Sequence, residues 1–387
     1  MVRPSLLLTS ATLVLACGAR SSLDDYTNAG PPEASVDVGA YDAVENPIQH
    51  ADEPGIAVGW GWVCVYRPGM KSGCTGTFVA PRDASAVELP EHMWAFTSSP
   101  PLRATGSVAA CGMTPSGMTC WGQYLEVPAT SCVRLAEPPA SPVCQPTVVN
   151  TMDFVWVAPS VGLDAHGGLF AGSWNAAFAP VAQPEPLMWV DPNFPLARGV
   201  DLSGRVMTWS GTCEAGYCGD GVDTPHNASV NAPAIAALDF RAVGVATNLF
   251  GACAWDAPGH VACWGDPAMT GGSSTSPYVV HVPPARTVIA DSASMCGVGF
   301  DGSVTCFGCT KSNASSPCVY TQGYQWGFLE LDASPETIAL PQPVIAIGSG
   351  WGVCALVADQ TVWCWGPALG SAVDAPIVPW HVVALDP

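Results

Sequence analysis

A chain of 387 residues that is 49% apolar and only 11% charged, with 12 Lys+Arg against 32 Asp+Glu and a formal charge of −20, is neither a disordered tail nor a binder of nucleic acid. Disorder needs high charge with too few apolar groups to bury, and phosphate backbones are held by clustered cations, whereas Lys71 and Lys311 are the only lysines. The 40 Gly, 37 Pro and 15 Trp argue for short strands joined by turns rather than long helices, and 17 Cys point to an oxidising compartment and to export.

In chain order, Arg3 opens a short positive start. Leu6-Leu7-Leu8 through Leu13-Val14-Leu15 then form an apolar run too short to span a bilayer permanently, and Ala16 precedes Cys17. Leu13-Val14-Leu15-Ala16-Cys17 resembles the lipobox of bacterial lipoproteins. The resemblance implies a signal peptide over 1–16, acylation of Cys17, and a place in the bacterial cell envelope, outside the cytoplasm and held on a membrane (outer membrane or periplasmic face) by lipid. Each buried methylene contributes about 0.8 kcal/mol to such an anchor. The competing reading is an ordinary secretory signal. Setting Cys17 aside leaves an even number of cysteines for pairing. Residues 17–53 read as a flexible acidic linker with Gly18, Ser21, Ser22, Gly30, Pro31 and Pro32, and residues 54–387 as the folded domain.

That domain is written in repeats. The first, at 64–74 (CVYRPGMKSGC), has two cysteines flanking a Pro68-Gly69 turn. The second, at 111–122 (CGMTPSGMTCWG), adds an aromatic and Gly after the second cysteine. The third, at 161–171 (VGLDAHGGLFA), keeps the turn without cysteines. The fourth, at 198–209, has Arg198 and Thr208 where cysteines belong and then Trp209. The fifth to seventh are complete, at 253–265 (CAWDAPGHVACWG), 296–308 (CGVGFDGSVTCFG) and 354–366 (CALVADQTVWCWG). Alternation on both sides of a tight turn predicts a β-hairpin in each. The hairpin sets the two cysteines opposite each other, within the roughly 4.4–6.8 Å between Cα atoms that a disulfide tolerates. The expected bonds are Cys64–Cys74, Cys111–Cys120, Cys253–Cys263, Cys296–Cys306 and Cys354–Cys364. Each ring of about eleven residues contributes roughly 3 kcal/mol in the chain-entropy model. A zinc site at Cys306-Phe307-Gly308-Cys309 is the alternative, but it has one CxxC where zinc wants four ligands.

These copies look like the repeats of the regulator of chromosome condensation family, which end a strand in Cys-Trp-Gly or Ser-Trp-Gly. The resemblance covers about residues 54–387 and implies an all-β, seven-bladed β-propeller with disulfide-stapled hairpins. It departs downstream of Trp-Gly, where Gly366-Pro-Ala-Leu-Gly370 is the nearest remnant of the family's Gly-Gln-Leu-Gly. Insertions between repeats carry further pairs: Cys132 with Cys144, Cys213 with Cys218 and Cys309 with Cys318. The final segment, residues 381–386, resembles residues 286–291 and is expected to pair beside the first blade. A propeller buries the faces of its sheets on one another and leaves few open edges.

No nucleophile elbow, HExxH, Walker loop or dinucleotide fingerprint is present. No catalytic residue, metal or cofactor is therefore expected. The histidines at 50, 92, 166, 226, 260, 281 and 381 do not stand at metal spacing from one another, and His166 and His260 fall in hairpin turns. Asp220 and Asp223 offer hard oxygens for calcium without a full ligand series. Asn227 and Asn313 begin glycosylation sequons. Trp121, Trp209, Trp264 and Trp365 occupy the repeat position and read as packing residues. Trp60, Trp62 and Trp351 stand outside it, in repeats that become neighbours when the ring closes. They are the candidate lining of an aromatic patch for a peptide or sugar, with core packing as the competing reading. The expected function is a monomeric, non-enzymatic binding module for a protein or peptide partner. The alternatives are a polysaccharide-active enzyme with paired carboxylates, a carbohydrate-binding propeller, or a surface decoration without a ligand.

Overall fold

The computed structural model describes residues 54–59, 62–76, 87–98, 108–123, 132–133, 143–152, 154–158, 161–171, 178–191, 198–209, 211–213, 218–222, 224–248, 251–265, 274–290, 294–308, 335–350, 352–365 and 379–387. Cys17, the signal and linker segments, Cys309 and Cys318 lie outside them.

The described strands form consecutive antiparallel sheets. Six have four strands, over residues 55–88, 156–180, 187–235, 242–280, 285–337 and 344–381. The sheet over 94–150 has five, because the short strand Cys132–Val133 pairs outside Val143–Asn150. We number these sheets first to seventh in chain order. A two-stranded ribbon, Gly211–Cys213 with His226–Ala228, is inserted in the fourth.

The repeat core is the second and third strand of each sheet, and the cysteines are register partners in all five cysteine-bearing hairpins. Their Cα atoms are 3.9–4.2 Å apart. That is closer than the expected range, and nearer the narrow pair type of antiparallel strands, at about 4.5 Å, than the wide one, at about 5.5 Å. Each of the five is a disulfide, and Cys213–Cys218 is a sixth. Cys132 and Cys144 are backbone register partners. The degenerate copies keep the geometry, since Val161 partners Ala171 and Arg198 partners Thr208.

There is no single central core. Seven apolar clusters each lie between two sheets that follow one another, and the last joins the seventh sheet to the first. One rule builds them: the staple of a sheet faces forward, and the aromatic after the second cysteine faces back onto the preceding staple. Trp121 packs on Cys64–Cys74 with its indole N–H donating toward the sulfurs, at 3.4 and 3.2 Å. Phe307 packs on Cys253–Cys263 and Trp365 on Cys296–Cys306. Where the staple is missing in the fourth sheet, Arg198 takes its place. Its Nε donates to Thr208 Oγ1 at 3.1 Å, and its guanidinium lies 5.7 Å from the Trp264 ring centre. Burial lowers the Arg198 pKa to about 10 against the opposing pull of Asp191. An aromatic buries roughly 150–250 Å², so each such contact contributes several kcal/mol before entropy is counted.

The sheets are also hydrogen-bonded in series. In the third to sixth sheets, the glycine closing the hairpin turn has φ between 78° and 95°, a region open to glycine at little cost. Its carbonyl accepts the amide of the next sheet's first residue: Leu187 N to Gly167 O, Ala242 N to Gly204 O, Ala285 N to Gly259 O and Val344 N to Gly302 O, all at 2.9–3.0 Å. The seventh sheet has Gln360 there, at φ 69°. Its carbonyl accepts instead from Nε and Nη2 of Arg67 in the first sheet, at 3.1 and 2.6 Å.

Ring closure therefore differs from the sequence expectation. Residues 381–386 do not add a strand to the first sheet. Trp380–His381 pairs with Val362–Trp365 as the outer strand of the seventh, and Val383–Leu385 forms a 3-10 turn. This turn carries Leu385 into the seam core and its carbonyl to Arg67 Nη2, at 2.6 Å. The seam is closed by apolar packing and one guanidinium rather than by strand pairing.

Candidate functional site

In an antiparallel meander every second-to-third-strand turn and every link to the next sheet emerges at the same edge. One face of the ring is thus made of hairpin turns, and each turn is braced from within. Asp164 Oδ1 accepts the amides of His166 and Gly168 at 2.8 and 2.7 Å, and Asp201 Oδ1 those of Ser203 and Arg205, both at 2.9 Å. Asp256 Oδ1 accepts the His260 amide at 2.7 Å, Asp301 that of Ser303 at 2.9 Å, and Asp359 that of Thr361 at 3.0 Å. The Ser303 and Thr361 hydroxyls add bonds at 2.7 and 2.6 Å and hold the Asp301 and Asp359 carboxyls below the usual carboxylate range.

On these rigid tips stand apolar side chains with no place in a core. Met70 is 46% exposed, Leu202 55%, Phe300 62% and, on the C-terminal turn, Val383 68%. Exposed apolar groups on braced turns are the form a recognition surface takes, because little conformational freedom is lost when a partner covers them. Among the described residues, every exposed lysine or arginine is on this face too: Lys71, Arg205, Arg241 and Arg286. His92, His166, His260 and His281 are exposed there as well.

The candidate binding tryptophans are placed differently. Trp62 is a correction: it is 1% exposed and packs in the cluster between the first and second sheets, against Gly59, so it does not present itself to a ligand. Trp60 and Trp351 lie outside the described residues. Their neighbours Gly59 and Gly350 do touch across the seam, where a Cβ on Gly350 would sit 2.3 Å from Val58 O and 3.3 Å from Gly59 Cα.

On the inserted ribbon, His226 Nε2 bonds Asp220 Oδ2 at 2.7 Å and Nδ1 faces Thr224 O at 3.0 Å. The Thr224 carbonyl first, with Asp220 adding, raises the His226 pKa above its ordinary value. Asp220 is thus engaged by histidine, and Asp223 is outside the described residues. Asn227 is exposed and accepts from the Thr212 hydroxyl at 3.1 Å, while Asn313 is outside. The buried carboxylates are each engaged. Thr247 donates to Asp191 from its amide and, at 2.6 Å, its hydroxyl; Arg205 Nε donates to Asp201 at 2.7 Å; and His260 Nδ1 bonds Asp256 at 2.7 Å. Asp191 and Asp201 lie at opposite ends of the fourth sheet. A paired-carboxylate arrangement finds no support there.

Reasoning from the sequence missed the roles of Phe300, Leu202 and Arg67. The signal for the first two was an apolar residue at a hairpin tip, where polar residues are the rule. Arg67 had none, because its partners are 293 and 318 positions away.

No protein-family model matches the chain, and no curated protein matches it in sequence. Among solved structures it is similar to Prp20p from Saccharomyces cerevisiae, at 16% identity and a TM-score of 0.54, over 76% of this chain and 80% of that one. That structure was described together with the protein's binding to Gsp1p and histones. Yeast RCC1 (Prp20) bound to Kap60 is similar at 14% identity and a TM-score of 0.53, over 78% of this chain and 76% of that one. At such identity the likeness concerns fold, and the fold is an RCC1-like β-propeller.

Proposed function

We propose that this propeller is a non-catalytic binding module, tethered by lipid on Cys17 outside the cytoplasm, whose braced turn face captures a protein or peptide partner. The observation that carries the reading is the set of exposed apolar side chains, Met70, Leu202, Phe300 and Val383, on rigid tips of one face. Six disulfides support an oxidising compartment, and the similar yeast propeller binds proteins. We count the five-stranded sheet as a blade, which makes the ring seven-bladed; the seven inter-sheet clusters support that count. The chain acts as a monomer, since a charge of −20 opposes self-association.

The test is capture from envelope extract by the full chain, compared with Leu202→Asp and Phe300→Asp on the face and Val279→Asp on the rim. We expect the face variants to lose at least about tenfold in capture of a specific protein at unchanged melting temperature, and the rim variant to retain it. Equal capture by all three variants would refute the assignment of the face.

A second reading, a sugar or peptide held by Trp60 and Trp351, is favoured by the contact of Gly59 with Gly350. Binding to a glycan array that survives Phe300→Asp and disappears with Trp351→Ala would select it.

A further inference from the structure

The inserted ribbon holds a group of side chains that the turn face does not use. Cys213 Sγ, an Asp220 oxygen and a His226 ring nitrogen lie within 4.8 Å of one another. Cys218, which bonds Cys213, is the fourth member. Two sulfurs, an imidazole and a carboxylate are the donor set of a tetrahedral zinc site, spaced Cys-x4-Cys-x-Asp-x5-His. In the oxidised chain both sulfurs are locked in the disulfide, leaving two donors where zinc needs four. We infer that Cys213, Cys218, Asp220 and His226 form a redox-gated zinc site, closed as a disulfide under oxidising conditions and opened to Zn²⁺ by a dithiol.

Three features show that the site is prepared for this. Thr224 O accepts from Nδ1 of His226, the backbone partner that leaves Nε2 as the ligand atom in histidine–zinc sites, and Nε2 is the nitrogen aimed at Asp220. The positions do not depend on the sulfur–sulfur bond. Cys213 and His226 are register partners in the ribbon, and the Asp220 loop is tied on both sides, by Ala237 N to Gly219 O and by Gly221 N to Thr275 O, both at 2.9 Å. Gly219 is also seated against the Trp264 ring, where a Cβ would approach to 2.7 Å. Finally, the His226 side chain is 31% exposed beside a largely buried carboxylate, so an ion has a way in. Ligand atoms around tetrahedral zinc are about 3.3–3.8 Å apart, so the most widely spaced donors need to close by about 1 Å while the Asp220–His226 hydrogen bond, at 2.7 Å, opens to admit the ion.

The chemistry balances with a dithiol as reductant. It gives two electrons and two protons to the Cys213–Cys218 bond and closes to its own disulfide, leaving two thiols. Zn²⁺ then displaces both thiol protons and the Nε2 proton of His226, and Asp220 binds as the carboxylate.

The test is anaerobic titration of the full chain with Co²⁺ and then Zn²⁺, with and without a phosphine reductant, read by thiolate–cobalt absorption. Reduction opens other cysteine pairs as well, so Cys213→Ser/Cys218→Ser sets the background. His226→Gln, which keeps the disulfide and folds under oxidising conditions, provides an independent arm. We expect one tightly held metal per reduced chain, displaced by Zn²⁺, and affinity at least about 100-fold lower in the oxidised chain and in both variants. Metal uptake by reduced wild type equal to that of the double-serine variant, or undiminished by His226→Gln, would overturn the inference.

Discussion

At the scale of single residues, the hairpin turns show how a repeat tolerates exceptions. Gly167, Gly204, Gly259 and Gly302 sit at positive φ, and Gln360 occupies the same place without glycine's freedom. Gln360→Gly removes the steric cost of a left-handed backbone while keeping the carbonyl that Arg67 holds. We expect a gain of about 0.5–1 kcal/mol in denaturant unfolding, less whatever entropy glycine adds to the unfolded chain. The carboxylates bracing the neighbouring turns define the acid limb. Asp301 and Asp359 have folded pKa values below their ordinary ones. Their stabilisation is complete above the ordinary carboxylate range and is lost as pH falls through the depressed values. Both are exposed, so the effect is small. Asp359→Asn should flatten the acid limb of melting temperature against pH without altering its slope above pH 6.

At the scale of the element, the staple and the aromatic that covers it are one unit divided between two sheets. That division explains why cysteines are lost in pairs: what the next sheet requires is a filled position, whether by disulfide, by Val161 and Ala171, or by Arg198 bonded to Thr208. Because Arg198 and Thr208 are in the same register as the cysteine pairs, Arg198→Cys/Thr208→Cys should close a further disulfide. The check is mass spectrometry without reduction, where the variant should show no added free thiol. The gain in stability should fall short of the roughly 3 kcal/mol expected of such a ring, because Asp191 loses its cationic neighbour. Two free thiols in the folded variant would show that the fourth hairpin is spaced differently.

At the scale of the whole molecule, the seam is the weak joint. Elsewhere a covalent link carries each sheet to the next, whereas among the described residues the seventh and first are joined by side-chain and backbone packing and by Arg67. Burial lowers the Arg67 pKa and Asp386 opposes the shift; the group stays charged at any working pH. Arg67→Met preserves most of the volume but leaves the carbonyls of Gln360 and Leu385 without their donor. We expect a cost of about 2–4 kcal/mol and faster hydrogen exchange confined to residues 55–66 and 353–387. Exchange that rises evenly around the ring would mean that the seam is not a separate unit.

The hairpins, their turns, their cysteine pairs and the substitution of Arg198 and Thr208 at a staple position were all determined by the amino-acid sequence. Each depends on residues within about a dozen positions, where alternation and turn chemistry dictate register. The sequence also indicated that tryptophans at the repeat position are packing residues. Tertiary structure alone decided which surface faces solvent and how the ring ends. Trp62 and Phe300 look alike as isolated aromatics, and only the neighbouring sheet buries one and leaves the other exposed. The grip of Arg67 on Gln360 and Leu385, and the turn of residues 383–385 that replaced an expected strand, arise where the two ends of the chain meet. Contacts across such separation leave no periodicity for a sequence to display.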